Sequence, residues 1–319
     1  MQDWQPSASI DALRARAKII DQVRGFFAER AVLEVDTPCL STAAVSDPQL
    51  QPFATDYIPD GGLVAQRLYL HTSPEYPMKR LLAAGSGCIW QLCKVFRNGE
   101  VGGRHNPEFS MLEWYRLGFD HHRLMDEVDA LVVAVLACAP ARRVTYASLF
   151  AQHLSLDIHR CSDDELALQG RQRCGFNGDL PRDGWLNLLF SHCVEPQLQA
   201  PTLVYAFPAS QAALALIVAG DDEVPSAARF ELFVQGMELA NGYFELTDPR
   251  EQARRFHSDQ CERAAMGVAA LPVDIRLVDA LEAGLPACAG VALGLDRLVM
   301  LALGAQRIDQ VIAFSFERA

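Results

Sequence analysis

Apolar residues recur at helical spacing from Ser9 to about Arg30. Ile10, Leu13, Ala17, Ile20, Val23, Phe26 and Phe27 fall at steps of three and four, which predicts an amphipathic helix. Ser9 can cap its first turn, where Asp11 adds favourable negative charge. The period then falls to two in VLEVDTP, a half-buried strand stopped by Pro38. From about Leu68 to Tyr115, short apolar runs (LYLHT, CIWQLCKVF, EFSMLEWY) alternate with turn-rich segments and predict antiparallel strands. Between about Asp120 and Gln199 the pattern turns helical, as in HHRLMDEVDALVVAVL and DGWLNLLFSHCV. That stretch, residues 120–199, holds few convergent polar residues and reads as a helical insertion. Strand character returns in TLVYAF, ALALIVA and ARFELFVQG. Two helices follow, one within DPREQARRFHSDQCERAA and one opening near Leu293 and running to Ala302. Strands mixed with helices, without regular βαβ alternation, predict an α+β fold with a mainly antiparallel sheet flanked by helices. No repeat or Gly/Ser linker breaks the chain, so residues 1–319 read as a single domain.

Composition narrows the class. Half of the 319 residues are apolar and 21% are charged, an ordinary globular balance. No run of about 18 apolar residues is present and the opening segment lacks an apolar signal core, so the expected location is the cytoplasm, away from membrane. Nine scattered cysteines form no C-x-x-C pair, which predicts reduced thiols without a disulfide frame or structural zinc site. The formal net charge of −12 lowers the expectation of a nucleic-acid partner, whose phosphates demand a basic face.

The strongest local signal for chemistry is KVFRNGEVGGRHNPEFSMLEWY, residues 94–115. Arg97 ends one strand, a Gly-rich loop follows, and Arg104, His105 and Asn106 stand where the next strand begins. Such a loop aims several cations and amides at one point, a geometry suited to polyphosphate. Farther along, Glu231, Glu238 and Glu245 fall seven apart. As a helix they would form a solvated acidic stripe; the β-rich flanks and an expected turn at Asn241-Gly242 favour strands.

These residues carry a family resemblance. Arg97-Asn98 and the run from Arg104 to Phe109, followed by Met111-Leu112-Glu113, resemble motif 2 of class II lysyl-tRNA synthetases. The N-terminal helix and the strand ending at Pro38 resemble motif 1, which forms that family's dimer interface. GVALGLDR, residues 290–297, resembles motif 3. One Gly-rich turn is weak evidence; three ordered motifs spanning the chain are strong evidence. Lysyl-tRNA synthetases carry an N-terminal OB-fold anticodon-binding domain, and no segment here corresponds to one. The compact arrangement is similar to the elongation factor P–(R)-β-lysine ligase family. The shared stretches are WQPSASI, VLEVDTPCL, TSPEY, EFSMLEWYR and GVALGLDRLVMLALG, distributed from end to end.

The resemblance implies two steps. The (R)-β-lysine carboxylate attacks the α-phosphate of ATP to form an adenylate, and a lysine amine of elongation factor P then takes the activated acyl group without tRNA. It implies catalytic roles for Arg97, bridging carboxylate and α-phosphate, and for Arg297, holding the γ-phosphate. ATP would also be met by Asn98, Gly99, Asn106, Glu238, Leu239 and Gly294, with Arg104 and His105 nearby. Glu231 and Glu238 would hold Mg²⁺. Ser73, Pro74, Glu75, Tyr115 and Glu245 would bind the amino acid, Glu75 and Glu245 taking its two amines, with Glu113 and Asn241 as secondary candidates. A homodimer is expected from motif 1. Two positions depart from the family pattern. Gly99 replaces the usual motif 2 Glu, with Glu100 next, so either Glu100 substitutes or one nucleotide contact is made by backbone. Ala292 replaces the middle Gly of motif 3, where its methyl would narrow the pocket floor against α-lysine. Two other readings stay open: a truncated lysyl-tRNA synthetase activating α-lysine, and a non-catalytic synthetase-like regulatory subunit. The motif arginines distinguish the chain from the second.

Overall fold

The computed structural model describes residues 4–62, 64–220 and 224–319. Helix α1 spans Ile10–Ala28, and Ser9 caps it by accepting from the Ala12 amide. Ile19, Val23, Phe26 and Phe27 form its buried stripe; Ala17 and Ile10 face outward. The expected strand after it is short, β1 at Leu33–Glu34, paired in parallel with β5 (Ile89–Phe96). Strands β2 (Leu40–Ser41), β3 (Ala54–Tyr57) and β4 (Gln66–Leu70) form a separate small sheet, and α2 covers Glu75–Ala83. The antiparallel hairpin expected around the Gly-rich loop is formed by β5 and β6 (Glu108–Leu117).

The segment from 120 to 199 is mainly helical, with α3 (His121–Leu136), α4 (Tyr146–Leu154), α5 (Asp163–Cys174) and α6 (Arg182–Leu189). It also carries strand β7 (Arg142–Thr145), which adds in parallel to the sheet edge at β8 (Thr202–Pro208). Helix α3 packs into the central core, whereas α4, α5 and α6 share a core of their own with β8. Strand β9 is confined to Ile217–Ala219, followed by β10 (Pro225–Phe233) and β11 (Glu238–Phe244). Then come α7 (Pro249–Ala265), α8 (Ile275–Gly284), β12 (Cys288–Gly294) and α9 (Leu295–Leu303). Helix α8 is absent from the sequence reading. Helix α9 starts two residues later than expected because β12 stays paired with β6 as far as Gly294.

The large sheet runs β1-β5-β6-β12-β11-β10-β8-β7, with β9 on β10. Both of its ends are parallel pairs and the middle is antiparallel. This is the α+β architecture the pattern predicts. One correction concerns Asn241-Gly242, which lies inside β11 and makes no turn. Gly242 is there for space: a Cβ would stand 2.4 Å from the Phe230 ring. The β10–β11 turn is at Gln235-Gly236, whose φ values of 53° and 62° give the left-handed pair that tight hairpins need.

A buried cluster ties the three motif regions together. Asp296 of α9 accepts the Ser110 amide of β6 at 2.7 Å and pairs with Arg16 of α1 at 2.5 Å. Arg16 also donates to Ser110 Oγ. This buried ion pair and the Ser110 bonds fix where α9 begins, and with it the position of Arg297.

Candidate active site

Strand alternation divides the chemistry of the sheet. Trp90, Trp114, Val291 and Phe230 project into the central core beneath α1, α3 and α9. The opposite face carries a row of Glu113, Ala292, Asn241 and Glu231 on adjacent strands. The next row is Tyr115, Gly290, Tyr243 and Arg229. Most of these residues floor a cavity of about 680 Å³.

Arginines gather on one wall, where Arg97, Arg104 and Arg297 line the cavity with His105. Arg97 is held at the end of β5 by its amide bond to Pro107 O, and its guanidinium sits over the Phe109 ring. Its Nε is buried without a hydrogen-bond partner. A buried donor left over in a cavity wall calls for an anionic acceptor. Arg297 donates to Glu238 O at 2.7 Å and to His105 Nε2 at 2.8 Å. Burial and the adjacent Arg297 lower the His105 pKa, so its neutral ring can accept that bond. Arg104 reaches the β10–β11 turn through Gly236 O.

Carboxylates gather at the other end. Glu113 accepts from Ser73 Oγ at 2.8 Å and from the Tyr115 hydroxyl at 2.7 Å. Glu75 and Glu245 flank Lys79, whose Nζ stands 2.5 Å and 2.6 Å from them. Burial, then repulsion from Glu75, pushes the Glu113 carboxyl up to about 8. Burial also drives Glu245 up to about 7, although Lys79 pulls it back. Asn241 lines the same region with a buried Oδ1 that lacks a donor.

Of the residues expected from sequence, Ser73, Glu75, Arg97, Asn106, Tyr115, Glu238, Leu239, Glu245, Gly294 and Arg297 all line this one cavity. Asn106 does so with its side chain already engaged, donating to Glu108 O and accepting the Phe316 amide. Pro74, Asn98, Gly99 and Glu231 are not on the wall. Pro74 occupies the cap position of α2, and Asn98 turns its amide to Gln51 O. Gly99 makes the turn itself at φ +88°, a conformation that favours glycine, and it is Glu100 that reaches the wall beside Arg97. Glu231 is buried under Arg229, which holds one of its oxygens at 2.5 Å; burial raises its pKa to about 7 despite that cation. Among the described residues no three His, Cys, Asp or Glu side chains gather as a metal site. Glu238 presents a partly exposed carboxylate to the cavity, whereas Glu231 is engaged by Arg229 behind it.

Sequence reading overlooked Lys79 and Arg229. Lys79 stands four residues after Glu75, a spacing that from sequence describes a surface helix pair. In the fold its ammonium lies between Glu75 and Glu245, and the side chain is buried.

A stability prediction follows from the raised carboxyls. Glu113 keeps its proton in the folded protein up to about pH 8 but loses it near its ordinary value of 4.5 when unfolded. The folded state therefore binds more protons across that window, and stability falls as pH rises through it. Each such group contributes a slope on the order of 1 kcal/mol per pH unit. Glu113→Gln should match wild type in thermal melts near pH 5 and exceed it near pH 8. Parallel profiles over pH 5–8 would remove Glu113 as the cause.

Comparison with known proteins agrees with this geometry. The family model for class II (D, K and N) tRNA synthetases matches residues 2–318. The elongation factor P–(R)-β-lysine ligase of Vibrio cholerae serotype O1 is 52% identical over 326 residues, covering 99% of both chains. The ligases of Salmonella arizonae and Vibrio vulnificus are also 52% identical, the first over 99% of this chain and 98% of its own, the second over 98% of each. No helix among the described residues is long and apolar enough to cross a membrane. A class II sheet, arginines and acids at opposite ends of one cleft, and half-identical relatives along the whole length lead to one assignment: the chain belongs to the class II tRNA synthetase family, in the branch of the elongation factor P–(R)-β-lysine ligases.

Proposed function

We propose that this protein uses ATP to activate (R)-β-lysine and then transfers the β-lysyl group to a lysine side chain of elongation factor P. The observation that carries this reading is the polarity of one cleft. Three carboxylates gather at one end, half-buried Glu75 and buried Glu245 flanking Lys79 with buried Glu113 nearby, while Arg97 and Arg297 line the other. A ligand with two ammonium groups fits the first end, and the anions of ATP fit the second.

In the first step a carboxylate oxygen of the amino acid bonds to the α-phosphorus. The bond to the bridging oxygen breaks and pyrophosphate leaves. Both reactants are anionic, so the barrier is largely repulsion, and Arg97 lowers it by bonding carboxylate and phosphate together. Arg297, steadied by neutral His105, orients the departing phosphates. Glu238 and Glu231 would hold Mg²⁺, which neutralises phosphate charge when bound. In the second step the neutral amine of the acceptor lysine attacks the acyl carbon, AMP leaves with the bonding electrons, and the surplus proton on nitrogen passes to solvent.

Ala292 lies in the floor between Glu113 and Asn241. Its methyl supports selection of the β-isomer by narrowing the space where an α-amino group would lie. The acidic net charge of −12 supports a protein acceptor over tRNA. Nine free thiols suit the cytoplasm. Exposed Leu33, Leu40 and Tyr57 around β1 and the small sheet support a homodimer through this face. Intact-mass spectrometry of elongation factor P, after incubation with this protein, ATP, Mg²⁺ and each lysine isomer, tests the proposal. One β-lysyl addition is expected with (R)-β-lysine, and little with α-lysine. An unmodified factor, together with pyrophosphate exchange that prefers α-lysine, would overturn it.

A further inference from the structure

We infer that Lys79 is a built-in counter-cation that sets the charge of the amino-acid end of the cleft, so that the site selects ligands carrying two ammonium groups over those carrying one. The inference rests on the reading of this cleft as an amino-acid site and goes further, because it assigns the selection to a residue on its wall side that need not touch the ligand.

Lys79 is 2% exposed, one helical turn beyond Glu75 on α2. Its Nζ lies 2.5 Å from Glu75 Oε1 and 2.6 Å from Glu245 Oε2, joining α2 to the segment that follows β11. Burial disfavours its charge, but Glu245 and Glu75 more than reverse that, and it stays protonated. Glu113 completes the acidic set without a cation of its own, bonded by the neutral hydroxyls of Ser73 and Tyr115. With all three carboxylates ionised, one lysine leaves two negative charges in a buried space. Uncompensated charge there is strongly disfavoured. Burial, with repulsion from Glu75 adding to it, raises the Glu113 and Glu245 carboxyls, and protons held there offset part of that charge. A ligand with two ammonium groups relieves it by neutralising both charges; a ligand with one leaves a remainder. Without Lys79 the same acids would carry three charges, and with Lys79 but without Glu245 they would carry one.

A charge cycle tests this. Pyrophosphate exchange is measured with (R)-β-lysine and with two single-amine analogues, 3-aminohexanoate and 6-aminohexanoate. The proteins are wild type, Lys79→Met, Lys79→Arg, Glu245→Gln and the double variant Lys79→Met/Glu245→Gln. Lys79→Met should raise KM for the diamine roughly tenfold or more, with KM for ATP within about twofold. Lys79→Arg keeps the charge and should recover most of the loss. Glu245→Gln should narrow the preference for diamine over monoamine, and the double variant should widen it again, because its remaining acids once more carry two charges. Should Lys79→Met fail to fold, the comparison of Glu245→Gln with the double variant still decides. Additive losses in the double variant, with an unchanged diamine preference throughout, would overturn the role of Lys79. Absence of exchange by wild type with any of the three substrates would instead overturn the reading of the cleft itself.

Discussion

Lysine in place of Arg97 will slow pyrophosphate exchange by about 10²–10³-fold, the usual cost of removing one preorganised donor from a developing anionic centre. The structure gives Arg97 two properties that lysine lacks. Its guanidinium is planar and lies against the Phe109 ring, so its donors are directed before any ligand arrives. Its Nε is already buried without an acceptor. A lysine ammonium would supply charge at one point but no fork to hold carboxylate and α-phosphate together. The loss belongs in kcat, since the shared contact is strongest when the two anions meet. Thermal melting should stay near wild type, because the side chain is partly exposed and its ion partner Glu100 is partly exposed as well. Exchange within about tenfold of wild type at saturating ATP and amino acid would remove Arg97 from its central role.

The second large effect is expected from a single methyl. Gly290 lies in β12 between Tyr115 of β6 and Tyr243 of β11. A Cβ there would stand 2.3 Å from the Tyr115 ring and 2.5 Å from Glu245 Oε1. Both neighbours are buried and fixed by Glu113 and Lys79, so neither can retreat without breaking a bond. Gly290→Ala should therefore cost about 1–3 kcal/mol of stability through overpacking. By displacing the acidic end of the cleft it should also raise KM for the diamine on the order of 100-fold. Gly294→Ala provides the contrast: its methyl would meet the Arg297 side chain at 3.5 Å, an ordinary contact, and stability should be unchanged. Equal melting temperatures for Gly290→Ala and wild type would show that Tyr115 and Glu245 are freer than their packing indicates.

The signals that carry the fold class are local ones. Ser9 capping a helix, the alternation in CIWQLCKVF and EFSMLEWY, and the order of the three motifs are short-range features, and the fold class followed from them. Placement of the cationic residues was also legible, since Arg97 directly follows strand β5 and Arg297 lies in the first turn of α9, just after β12. The turn at Asn241-Gly242 was misread because its residue types suit hairpins, whereas Gly242 is required by the Phe230 ring from the neighbouring strand. Glu231 and Glu238 looked equivalent in spacing, yet Arg229 covers one and the cleft exposes the other.

Periodicity, caps and motif spacing act over a few positions, and they were enough for the α+β class, the family motifs and a core set of charged residues on the cleft wall. The charge balance of the acidic end, by contrast, is set by long-range packing. Lys79 is separated from Glu245 by more than half the chain, and the fold alone brings the two together. Whether an ammonium group is a solvated surface charge or a buried counter-ion depends on what packs over it, and no local pattern carries that information.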